Sequence, residues 1–134
     1  MRALAVALLL FLFAAPAAAD DAGEVQAVIT RQLDAFAADD AVAAFAFAAP
    51  AIREKFADPQ VFLAMVKAAY PAVYRHRSAQ FGAQARQGDR IVQSVTFVDA
   101  DNLVWTGVYR LERQAEGGWR IAGCVVARAD ETSL

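Results

Sequence analysis

The amino-acid sequence predicts an α+β fold in which N-terminal helices pack on a curled four-stranded antiparallel sheet. Apolar residues recur at three- and four-residue spacing as far as Tyr70, then alternate with period two from about residue 77. The breaks between the alternating runs are Gln87-Gly88-Asp89, Asp99-Ala100-Asp101 and Ala115-Glu116-Gly117. These are turn-formers and too short for crossover helices, so neighbouring strands run antiparallel. Helices followed by such a meander cover one face of the sheet.

Ahead of this domain, Arg2 leads an apolar run over residues 3–15, then Pro16 and Ala17-Ala18-Ala19. Basic head, apolar middle and an A-x-A site read as a secretory signal peptide, residues 1–19, cleaved after Ala19. The run is shorter than the roughly 20 residues of a spanning helix. The expected location is therefore periplasmic or secreted, with the membrane met only during export. Residues 20–134 form a single domain, large enough to bury a core without staples. Cys124 is the one cysteine, so no disulfide framework is expected in that oxidising setting. The net charge of -2, from 13 Lys and Arg against 15 Asp and Glu, becomes more negative still once Arg2 leaves. A mildly acidic domain lacks the clustered positive charge that nucleic-acid recognition needs, so no nucleic acid is expected as a partner.

Asp21 followed by Glu24 has capping-box spacing, and Val25, Val28, Ile29, Leu33 and Phe36 then form one buried helical stripe. Asp39 or Asp40 caps a second, Ala-rich helix carrying Val42 and Phe45, which Pro50 stops. Ile52 and Phe56 mark a further short helical piece. Asp58-Pro59 is a cap and a favoured first residue for a helix that carries Phe62, Met65, Val66 and Ala69 on one side. Pro71 ends that helix at Tyr70. Strands are expected at about 77–86, 90–98, 103–113 and 118–128.

Odd-numbered strand residues are the apolar set: Ala79, Phe81, Ala83 and Ala85, then Ile91, Val95 and Phe97, then Leu103, Trp105, Tyr109 and Leu111, then Trp119, Ile121 and Val125. These are expected to face the helices. Placing Leu111 opposite Trp119 and Phe97 opposite Leu103 aligns Ala83, Gln93, Gly107 and Gly123 in one middle row. Glycines inside strands mark bends or close approach. One reading is a curled sheet with Gln93 bonded to a helix end. The other is a hollow for a small apolar ligand, with Phe36, Gln93, Trp105, Gly107, Tyr109 and Gly123 as candidate site residues. The even face carries Val92, Thr106, Val108, Ala122, Cys124 and Val126, an apolar strip suited to a homodimer interface that buries Cys124.

The stretch RQLDAFAADDAVAAFAF, residues 31–47, and the hairpin RLERQAEGGWRI, residues 110–121, resemble the nuclear transport factor two-like superfamily. That cone-shaped, cystatin-like fold is shared with ketosteroid isomerase and scytalone dehydratase. More narrowly, nearly the whole chain after the leader resembles the domain of unknown function 4864 family of exported bacterial proteins. The resemblance implies an open cone between helices and a curled sheet, often a ligand pocket, and frequent dimerisation through the outer sheet face. It carries over no catalytic residue. Gln32 stands where the isomerase has its first-helix tyrosine and Phe56 near its general-base aspartate, while residues 104–110 hold no Asp or Glu.

No other motif points to chemistry. His76, between Arg75 and Arg77, has a parity that directs it away from the covered face, and one histidine without nearby cysteine is a weak metal ligand. Asp99, Asp101 and Asn102 lack the remainder of a calcium loop and read as a turn. No metal and no cofactor are expected. The assigned inward positions hold no Asp, Glu or His, so binding of a small apolar molecule or a protein outranks acid-base catalysis, for which Tyr109 with Gln93 is the alternative. Assembly through the outer sheet face is a third reading.

Overall fold

A computed structural model describes residues 17–129, with side chains from residue 21. Residues 1–16 of the expected signal peptide lie outside the described residues, as do residues 130–134. The elements are α1 (Ala17–Ala37), α2 (Ala41–Ala46), α3 (Pro50–Phe56), α4 (Pro59–Ala69) and α5 (Pro71–Tyr74), then β1 (Ser78–Gln87), β2 (Arg90–Val98), β3 (Val104–Arg113) and β4 (Trp119–Arg128). The strands form one antiparallel sheet in chain order, curled and unclosed, with the helices on one face. Among the described residues no helix is long and apolar enough to cross a membrane.

Local chemistry explains most helix boundaries. Asp40 caps α2, its carboxylate accepting from Ala43 N at 3.1 Å. Pro50 does more than halt the second helix, which already ends at Ala46: its fixed φ opens α3. Ala57, at φ 61°, closes α3 in the left-handed region. Asp58 caps α4 by accepting from Gln60 N, with Pro59 as first residue. The capping box at Asp21 does not form. The helix already runs from Ala17, and the Asp21 carboxylate accepts instead from Arg86, Arg113 and the Trp119 indole.

The helical stripe of α1 meets the covered face of the sheet, mainly at β4 and β2, so Val25, Ile29 and Phe36 join Ile91, Val95, Phe97, Leu111 and Trp119 in one core. Residues 47–49 run along the free edge of β4: Ala49 N donates to Ile121 O and Ile121 N to Phe47 O, each at 2.8 Å. This short parallel pairing ties the α2–α3 connection to the sheet.

The expected register is corrected in three ways, the first at the closing hairpin, where Leu111 stands opposite Ile121 and Trp119 opposite Arg113 rather than Leu111 opposite Trp119. The β2–β3 loop closes on Val98 and Val104, so Phe97 faces Trp105 and Gly107 faces Val95 rather than Gln93. The outer strands each carry a β-bulge, which adds a residue and reverses every later side chain. In β1 the pairing shifts between Phe81 and Gln84, so Gln84 and Arg86 turn to the covered face in place of Ala83 and Ala85. In β4 the shift at Arg110/Leu111 puts Gly123 opposite Arg110 and Gly107 opposite Val126. Past that bulge Cys124 and Val126 pack toward the core, while Val125 is exposed. Gly107 and Gly123 are therefore not opposed, and the expected middle row does not exist.

Candidate functional site

The covered face is solid at one end and hollow at the other. At the solid end, where the first turns of α1 meet β1, β2 and the closing hairpin, Gln93 is fully buried and fully bonded. Its amide nitrogen donates to Ser94 O at 2.8 Å and to Gly82 O at 3.1 Å, and its oxygen accepts from Gln84 Nε2 at 2.7 Å and Gln26 Nε2 at 3.3 Å. Gln93 thus fills the β1 bulge and seats α1 on it. Next to it, Asp21 is buried between Arg86 Nη1 at 2.7 Å, Arg113 Nη1 at 3.1 Å and Trp119 Nε1 at 3.2 Å. The Trp119 and Arg86 hydrogen bonds, aided by the Arg113 charge, hold this carboxyl below its ordinary range, against the opposing effect of burial.

At the hollow end a cavity of about 440 Å³ opens between the helices and the bulged half of β4. Alpha-helix α1 contributes Gln32 and Phe36, α3 contributes Ile52, Lys55 and Phe56, and α4 contributes Phe62, Met65 and Val66. Tyr70 and Val73 close one side, and Tyr109 with residues 121–124 forms the sheet wall. Phe62 anchors the helical wall, its ring centroid 5.5 Å from Phe45, 5.6 Å from Phe56 and 5.9 Å from Phe36. Gln32 is buried, and its amide donates to Ala44 O at 3.1 Å, fixing α1 to α2. Lys55 is exposed and lies over the Phe56 ring at 5.5 Å, which places the one cation of this wall at the cavity's outer part. Among the described residues the wall carries no carboxylate and no histidine.

Tyr109 is the buried polar residue of the sheet wall. It is 1% exposed, and its hydroxyl has no hydrogen-bond partner. Cys124, opposite it on β4, is its polar neighbour, a weak sulfur partner outside ordinary hydrogen-bond geometry whose contact with the phenol still lowers the thiol pKa against the effect of burial. Burial is the main cause that pushes the Cys124 thiol up to about 12, and burial with the adjacent thiol pushes Tyr109 well above its ordinary value. Both groups hold their protons, the opposite of what a general base or a thiolate nucleophile requires.

Of the six residues singled out from sequence, Phe36, Tyr109 and Gly123 come together around this cavity, Gly123 through its backbone at the bulge. The other three lie elsewhere. Gln93 is spent in the seam with β1. Trp105 borders a separate small recess with Ala69 and Val126, its indole donating to Asp99 Oδ2 at 2.8 Å. Gly107 is buried under Phe97, where an added Cβ would stand 2.8 Å from the ring. Gln32 and Cys124 escaped sequence reading for different reasons. Gln32 lies seven residues after Val25 and four before Phe36, on the stripe itself, and that spacing could have identified it. Cys124 turns inward only because of a bulge that no residue pattern announces.

Other candidates are held in structural roles. His76 is half-buried, its ring 5.3 Å from that of Phe97 and Nδ1 3.2 Å from Ala72 O, so it packs on the core edge instead of pointing away. Arg75 is committed to Ala37 O at 2.6 Å and Asp39 at 3.2 Å, and Arg77 to Asn102 at 3.0 Å. Asp39 also meets Tyr74 Oη and Lys67, and these contacts, the Tyr74 hydrogen bond foremost, lower its pKa. Asp99 Oδ1 accepts from Asp101 N and Leu103 N, closing the β2–β3 turn. Among the described residues no three His, Cys, Asp or Glu side chains gather to hold a metal.

The fold and site define a class: an α+β protein whose helices cover a curled antiparallel sheet, with an apolar hollow where the cover lifts. The chain belongs to the domain of unknown function 4864 family (DUF4864), which matches residues 18–134. Among solved structures it is similar to Aln2 from a Streptomyces species, with a TM-score of 0.52 and 17% identity over 84% of this chain and 93% of that one. At that identity the likeness shows a shared fold. No curated protein matches.

Proposed function

We propose that this chain is an exported binding protein that holds a small, mostly apolar molecule in the cavity between α3, α4 and β4. The observation that carries the reading is the hollow itself: about 440 Å³ lined mainly by Phe36, Phe56, Phe62, Met65 and Val66, with only a few polar groups. Ligand sites typically occupy about 300–1,000 Å³ and combine apolar walls with a small number of placed polar atoms. The raised pKa values of Tyr109 and Cys124 favour binding over proton transfer. Titration with Nile red tests this. A saturable fluorescence rise with one dye per chain, abolished by Met65→Trp, is expected. An unsaturable rise, or one that Met65→Trp leaves intact, contradicts it.

Export is part of this reading and rests on residues 1–19. Intact mass of the protein recovered from its native host should begin at Asp20, and a chain that retains Met1 would refute cleavage.

A second reading is self-association through the outer sheet face. It is supported by Val92, Val104, Val108 and Val125, which are 39%, 42%, 40% and 71% exposed there, with Val108 directly opposite Val125. The bulge removes Cys124 and Val126 from this strip and adds Val125, so the thiol has no part in it. Sedimentation should show a dimer that Val108→Asp dissociates, and a monomer at high concentration would exclude it.

A further inference from the structure

We propose that two copies of this chain pair edge to edge through the first half of β1, residues 78–81, forming one continuous sheet with both helical layers on the same side. Strand β1 is an edge strand, and among the described residues no segment pairs with its outer side. The opposite edge is partly covered, because residues 47–49 run along β4. An open edge presents unpaired N–H and C=O groups, a template for another strand, and native edges normally carry a charge, a proline or a bulge against such pairing. The second half of β1 has two of these devices, the bulge after Phe81 and the inward-turned Arg86, which Asp21 holds at 2.7 Å. The first half has none: Ser78, Ala79, Gln80 and Phe81 are uncharged and exposed.

Symmetry and shape favour a second copy as the occupant. A two-fold axis that sets two copies of one edge strand antiparallel stands perpendicular to the sheet, so covered-face residues meet covered-face residues. Paired positions then share parity. The register centred on Gln80 keeps the regular residues together and sets Phe81 opposite the partner's Ala79. The neighbouring allowed registers run into the bulge or set Phe81 against the partner's Arg77. Ala79 and Phe81 lie on the covered face, paired with Phe97 and Val95, yet both are exposed, Phe81 by 37%. Beside them a cleft of about 280 Å³ opens toward α1, lined by Thr30, Leu33, His76 and these same two residues. Phe81 of each copy enters the cleft of the other, so a single register pairs the backbones and covers both rings. The neutrality of residues 78–81 spares the two strands the repulsion that like charges meet across a pair.

The Val108→Asp chain, whose outer sheet face is blocked, isolates this contact. A pairing this short belongs with small, reversible interfaces, so sedimentation of that chain should show a dimer fraction that grows with protein concentration. Adding Ala79→Lys, a charge at an exposed position facing the partner's Phe81, should leave a monomer at every concentration. Gln80 sits on the axis, where facing Cα atoms are about 4.5–5.5 Å apart, within disulfide reach. Gln80→Cys should therefore cross-link to its own copy under mild oxidation, while Ser78→Cys, about 13 Å along the strands from its mate, should not. A monomer throughout, a dimer that survives Ala79→Lys, or cross-linking at Ser78→Cys as fast as at Gln80→Cys would overturn the proposal.

Discussion

The two ends of the covered face solve the same problem by opposite means. Where α1 lies over β1, β2 and the closing hairpin, polar side chains reach across the seam, and Asp21 and Gln93 are each held by several partners. Where α3 and α4 lie over the bulged part of β4, aromatic residues hold the layers apart and Tyr109 Oη is left with a weak sulfur neighbour. The contrast shows that buried polar residues on one sheet face can differ sharply in how far the chain satisfies them. Gln93 and Tyr109 are cross-strand neighbours on the same sheet face, yet they fall on opposite sides of that division.

Substitutions at the locked end should cost the most. Trp119→Ala removes a fully buried ring and the indole donor to Asp21, with an expected loss of about 3–5 kcal/mol in urea unfolding. Gln93→Leu leaves the Gly82 and Ser94 carbonyls and the Gln84 amide short of a partner, costing about 1–3 kcal/mol. A smaller loss at Gln93 than at an exposed position such as Thr30 would break the comparison.

The Asp21 clamp should be visible in pH dependence. Its carboxyl titrates lower in the folded chain than the ordinary 3.8, so the folded state binds fewer protons than the unfolded one. The stability it contributes is therefore present above pH 3.8 and is lost as the pH falls through the folded value. Asp21→Asn should lower Tm at pH 7 and flatten the acid limb of the Tm-against-pH curve, while Asp39 and Asp99, also lowered, keep their share. An unchanged acid limb would mean that the clamp is not held in solution.

The hollow end should show weaker effects of a different kind. Cys124, with its thiol raised to about 12 by burial, should react slowly with iodoacetamide at pH 8 in the folded protein and rapidly in denaturant. Tyr109→Phe, which deletes a buried hydroxyl whose polar neighbour is the weakly bonding Cys124 thiol, should change stability least, within about 0.5 kcal/mol of zero or slightly upward. A marked destabilisation would show that the hydroxyl has a strong partner within the chain.

Much of this architecture is legible in the sequence where residue chemistry admits one answer. Asp40, Asp58-Pro59 and the Pro71 stop place helix boundaries, and the Gly88 and Gly117 turns, both at positive φ, place two hairpins. Alternation in β2 is unambiguous, because Ile91, Val95 and Phe97 leave no doubt about the inner face. The outer strands are another matter. Around Gly82-Ala83-Gln84 and Ala122-Gly123-Cys124 the side chains are small or weakly polar, so size and polarity do not say which side they face, and a one-residue bulge costs the pattern nothing. The cavity inherits that ambiguity. Its helical wall could be read from spacing, but its sheet wall depends on the reversal that brings Cys124 beside Tyr109. Beta-strand β1, mostly exposed on both faces, compounds the difficulty because no helix covers it enough to impose an inside.

Isotope-edited NMR of the protein titrated with Nile red probes the division most directly. Shift changes confined to Phe36, Met65, Tyr109 and Cys124, with Asp21 and Gln93 unmoved, are expected if the hollow end is the binding end. Changes centred on Asp21 and Gln93 or on the exposed valines, or none at saturating ligand, would contradict the account.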